Sequence, residues 1–97
     1  MQESLYKVQW ILNHDDPKRP GFYGTTNHLG VSPAAAAIAS AKSVSHAADD
    51  SWGRAQLHIL RVSAHLDDEN LLSGNDLQAA LRLDASLPID VVYRPLC

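Results

Sequence analysis

Gly30-Val31-Ser32-Pro33-Ala34-Ala35-Ala36-Ala37-Ile38-Ala39-Ser40-Ala41 is the stretch that decides the fold. Ser32 stands where a side-chain oxygen accepts from the first free amides of a helix, and Pro33 stands where a missing N–H is harmless. The helix should then run to about Ala47. At helical spacing, Ala34, Ala37, Ile38, Ala41 and Val44 form one stripe, with Ala36 about 100° round from Ala37 and off it. Because the stripe is mostly alanine, this helix can lie close to a sheet.

On the N-terminal side, Tyr6, Val8, Trp10 and Leu12 alternate with Lys7, Gln9 and Asn13, the period of a strand with one buried face. The prolines and glycine of His14-Asp15-Asp16-Pro17-Lys18-Arg19-Pro20-Gly21 interrupt it, and Phe22 to Asn27 resume as a second strand. A hairpin with a long polar loop follows. On the C-terminal side a third strand spans about 55–64, with Leu57 and Ile59 on one face and Leu60 and Val62 on the other, so it should be central. Ser73 or Asn75 caps a second helix whose Leu77, Ala80 and Leu81 share a face. Ile89, Val91 and Tyr93 alternate in a last strand that Pro95 stops.

These elements predict an α/β chain of the two-layer α+β kind, ordered β-β-α-β-α-β, with a four-stranded mixed sheet and two helices on one face. Two crossover helices imply parallel strands with right-handed connections, and the simplest spatial order is 2-1-3-4. Lys7, Gln9 and Ile11, with Asp90, Val92 and Arg94, should lie on the uncovered face.

The 97 residues fit a single small globular domain, 1–97, with 45% hydrophobic and 20% charged residues. A net charge of −3 gives no basic footprint for a phosphate backbone, so direct nucleic-acid binding is not expected. The single Cys97 leaves no internal disulfide or cysteine cluster, and Met1-Gln2-Glu3-Ser4 does not read as a leader, which points to a cytoplasmic protein. No apolar run approaches the roughly 20 residues of a membrane span.

Histidines recur beside paired acids in His14-Asp15-Asp16, His46-Ala47-Ala48-Asp49-Asp50 and His65-Leu66-Asp67-Asp68. The last two groups flank the third strand, whose length of about 30 Å keeps them from one ion. No metal and no cofactor are expected, since the spacings of zinc ligands, P-loops and dinucleotide folds are missing. The strand ends that would carry an enzyme or ligand site gather His28, Ser32, His65 and Asp67. There His65 beside Asp67 would act as a base and Ser32 as nucleophile or ligand donor, although an N-cap role explains Ser32 without chemistry. His58 reads as a satisfied histidine on the open face.

With chemistry weakly marked, the expected function is non-enzymatic: a small protein that binds another protein and acts by occupying its surface, as inhibitors, immunity proteins, antitoxins and phage-borne anti-defence or anti-CRISPR-like proteins do. The expected contact edge is Asp15, Asp16, Asp49, Asp50 and Trp52, meeting a partner with a basic surface. A homodimer is compatible with the size. A ligand-binding or catalytic domain using the His28, Ser32, His65 and Asp67 edge is the alternative.

Overall fold

The computed structural model describes residues 2–13, 18, 21–47, 56–84 and 90–95. Its elements follow in the order β1 (Ser4–Asn13), β2 (Phe22–Gly30), α1 (Pro33–Ala47), β3 (Gln56–Ala64), α2 (Gly74–Leu83) and β4 (Asp90–Tyr93). The strands form one mixed sheet in the spatial order β2-β1-β3-β4. β1 runs antiparallel to both β2 and β3, and β3 runs parallel to β4. Of the parallel relations expected from the two crossover helices, only β3 and β4 are neighbours. β2 and β3 point the same way but enclose β1, so α1 crosses over a strand before the chain returns to the sheet.

The core lies between the sheet and the helices. Val8, Trp10 and Leu12 of β1 meet Leu57, Ile59 and Val62 of β3, with Ala34, Ala36, Ala37, Ile38, Ala41 and Val44 of α1 and Leu77 of α2 above them. Expecting Val62 and Leu60 together on the face opposite Leu57 and Ile59 was incorrect for Val62. Gln9 pairs with Arg61 whereas Trp10 pairs with Ile59, which leaves Leu60 as an unopposed bulge residue. One extra residue reverses the alternation beyond it, so Val62 returns to the core opposite Val8.

The N-cap reading of Ser32 holds, since its hydroxyl accepts from the Ala35 amide at 3.1 Å. The small-residue face of α1 is wider than the five-residue stripe, because Ala36 and Ser40 are also fully buried. Ser40 sits over β2, where its hydroxyl and that of Thr26 share a 2.8 Å hydrogen bond. That bond offsets the desolvation of two hydroxyls and lets the helix sit close above the edge strand. Of the two candidate caps of α2, Ser73 is the one used, accepting from the Asp76 amide.

β4 is short, and the chain before α2 completes the pairing that β3 needs beyond it. The Leu71 amide donates to the Val62 carbonyl at 2.7 Å, and Asn70 Oδ1 accepts from the amides of Val62 and Leu72. Asn70 Nδ2 in turn donates to the Tyr93 hydroxyl, which donates to the Leu72 carbonyl at 2.9 Å. An extended segment thus becomes part of the sheet's frame without being a strand. No helix among the described residues is long and apolar enough to cross a membrane.

Two stability outcomes follow from this packing. Ala37→Leu and Ala41→Leu each add volume to a fully buried helix face and should destabilise by about 1–3 kcal/mol, whereas Ser43→Leu on the exposed side of α1 should change little. Urea unfolding of the three variants measures this, and equal small losses at all three positions would mean that α1 is not seated on this face. Gly24 lies under the indole of Trp10, so a methyl group there would fall within the ring's van der Waals envelope. Gly24→Ala should therefore lower stability by about 1–3 kcal/mol and alter the tryptophan fluorescence, while Thr25→Ala, on the opposite face, should do neither.

Candidate functional site

The uncovered face of the sheet is built from alternate residues of four strands, and the pairing register arranges them in cross-strand rows. Asn27, Lys7 and Ser63 form one row, and Thr25, Gln9 and Arg61 the next. Tyr23, Ile11, His58 and Val92 form a third, which spans all four strands. Side chains pointing the same way on paired residues are near neighbours, so each row is a physical contact line.

The first two rows are polar and mutually engaged. Lys7 Nζ reaches Asp68 Oδ1 at 2.8 Å, Arg61 Nε donates to Gln9 Oε1, and Arg61 Nη1 donates to the Asp68 carbonyl at 3.0 Å. This draws the turn after β3 across the end of the face, where Ser63 is buried. The hydrogen bond from Lys7, with the charges of Lys7 and Arg61, holds the Asp68 carboxyl below its ordinary pKa. In the third row His58 Nε2 and Gln56 Oε1 lie 2.9 Å apart, a hydrogen bond that a ring protonated at Nε2 donates. Burial, and then the nearby positive charge of Arg94, push the His58 pKa down. Between the second and third rows Gln9, Tyr23, Thr25 and Leu60 border an open depression of about 430 Å³. Tyr23 is 74% exposed beside it.

The residues of the expected ligand edge are placed as follows. Ser32 caps α1. Asp67 turns its carboxylate onto the amides of Asp68, at 2.8 Å, and Glu69. His65 Nδ1 lies 3.2 Å from Asn27 Oδ1 on the open face. His28 pairs with Tyr6 and so points to the helix side of the sheet. The structure therefore brings His65 to Asn27 but does not gather His28, Ser32, His65 and Asp67 around one point. Among the described residues no three His, Cys, Asp or Glu side chains come together as metal ligands do. Asp15, Asp16, Asp49, Asp50 and Trp52, the expected protein-binding edge, lie outside the described residues.

Sequence reasoning put Ile11, Val92 and His58 on the open face but did not join them to Tyr23. Alternation along a strand shows which way a residue points, and only register shows what stands beside it. Comparison with family models, with curated proteins and with solved structures found no match.

The His58 environment has a measurable consequence. The folded state favours the neutral ring, so its contribution to stability is complete above the ordinary histidine pKa of 6.5 and is lost as pH falls through the lowered folded value. Proton NMR titration should place His58 below 6.5, and Arg94→Gln should raise it part of the way back, since burial is the larger cause. A full return to 6.5 in that variant would assign the shift to charge alone.

Proposed function

We propose that this chain is a non-enzymatic protein-binding domain that acts by occupying a surface of another protein, and that it does so with the open face of its sheet. The observation that carries this reading is the Tyr23-Ile11-His58-Val92 row. It supplies an apolar and aromatic line bordered by the hydrogen-bonding groups of Thr25, Gln9 and Arg61, an arrangement similar to an interface core with a polar rim. The depression beside Tyr23 is shallow and open, and suits a protruding side chain of a partner better than it suits an enclosed small molecule. The net charge of −3 favours a partner with a basic surface. Inhibitor, immunity, antitoxin and anti-defence proteins all act in this manner, and the fold is compatible with each.

Photo-crosslinking from position 92 tests the reading. With benzoylphenylalanine replacing Val92, host lysate should yield one discrete heterologous adduct, competed by excess unlabelled wild type but not by Ile11→Asp of unchanged circular dichroism. The same label at Gln78, exposed on α2, should give none. Equal labelling from both positions, or competition by Ile11→Asp as strong as by wild type, would remove the open face from the interface. Salt dependence of competition reports on the basic partner surface, since steering by charge weakens as salt rises.

A further inference from the structure

The two edges of the sheet are treated very differently. β4, at one edge, is four residues long, starts with Asp90 and is followed by Arg94 and Pro95. Those are the short length, charge and proline by which sheets are kept from pairing with other chains. β2, at the other edge, is nine residues long, and Phe22-Tyr23-Gly24-Thr25-Thr26-Asn27-His28-Leu29-Gly30 contains no Lys, Arg, Asp, Glu or Pro. Its register with β1 runs from Leu12 opposite Phe22 to Ser4 opposite Gly30 without a bulge. Among the described residues β2 pairs only with β1, so its outer N–H and C=O groups form a long, regular and uncharged pairing template.

We propose that this edge is a homodimer interface, in which β2 of one copy pairs antiparallel with β2 of a second about a two-fold axis at Thr26. The strand's own sequence selects that occupant. Centring on Thr26 places Tyr23 opposite Leu29 of the second copy, and Leu29 opposite Tyr23, while Thr25 faces Asn27 in both directions. Tyr23 and Leu29 are 74% and 61% exposed, and in this register they form two identical aromatic–aliphatic pairs on the open face. Neutrality along the strand lets two copies of a chain of charge −3 approach there without like charges meeting. The helix layer also permits it. Ser40 fixes one side of α1 above β2, and beside Ser40 the flank beyond it, read at helical spacing, carries Ala39 and Ser43, with Ala35 one turn earlier. Close to the axis residue Thr26, the two α1 helices can therefore approach with small side chains facing one another. Because the β4 edge is guarded, the contact closes as a dimer with a continuous eight-stranded sheet rather than growing into a fibre.

A charge-swap series on the purified full chain tests both the edge and the register, with oligomeric state read by sedimentation velocity over a concentration series. Wild type should show a monomer–dimer equilibrium. Tyr23→Lys with Leu29→Lys sets two pairs of like charges opposite one another and should weaken dimerisation roughly tenfold or more. Tyr23→Lys with Leu29→Glu sets opposite charges in the same places and should recover most of that loss. Circular dichroism keeps folding defects separate, and both positions are solvent-exposed in one copy. A strictly monomeric wild type overturns the proposal, as does a dimer indifferent to both variants. Equal weakening in both variants overturns the Thr26-centred register. None of these outcomes depends on Val92 or Ile11, so the dimer and the protein-binding reading stand or fall separately.

Discussion

The close seating of α1 on the sheet is the constraint on which the other features depend. Ala36, Ala37 and Ala41 bring the helix down over β1 and β3, and the Ser40–Thr26 hydrogen bond fixes its side over β2. Small residues contribute little buried area each, so the stabilising area comes from what they let meet beneath them: Val8, Trp10, Leu57, Ile59 and Val62. A bulkier residue on this face would lift the helix and open the layer below. The helix also occupies one face of the sheet and leaves the other to solvent, which is what makes a docking face available.

The bulge at Leu60 reconciles two demands on β3. Before it, the strand must present Leu57 and Ile59 to the helices, and after it Val62 must do the same, although strict alternation would turn Val62 outward. The extra residue corrects the phase and places Leu60 beside Gln9, Tyr23 and Thr25. It thereby serves the core and shapes the uncovered face at once. Beyond the bulge, Lys7 and Arg61 hold Asp68, and Asn70 with Tyr93 ties the following segment to β3. The polar rows are thus occupied among themselves, whereas the Tyr23-Ile11-His58-Val92 row presents aromatic and apolar groups, as does the Leu5–Leu29 pair near the other end of β2.

The proposed function rests on a surface more than on a concentrated constellation of reactive groups. Ser32 and Asp67, which invite a chemical reading as isolated residues, spend their oxygen atoms on backbone amides. His28 and His65 are separated by the sheet itself, because neighbouring strand positions face opposite sides. The uncovered face and the uncharged edge adjoin along β2, so a second copy on the edge would extend the face instead of blocking it.

The sequence by itself determined the elements and their grouping. The two-residue alternation of Tyr6 to Leu12, the Ser32-Pro33 start, the alanine stripe and the Pro95 stop are local signals, and the elements formed close to where their residues prescribe, except that β2 runs past Asn27 to Gly30. Strand order 2-1-3-4 also followed, because a hairpin and two right-handed crossovers leave few arrangements. Tertiary structure alone decided the register, the Leu60 bulge, the burial of Ala36 and Ser40, and the joining of Tyr23, Ile11, His58 and Val92 into one row. Those features depend on pairs far apart in the chain, such as Ile11 with Tyr23 and His58. Periodicity reports the direction of one side chain relative to its own backbone, whereas a surface is made of neighbours, and neighbours across strands are set by packing of the whole sheet against α1.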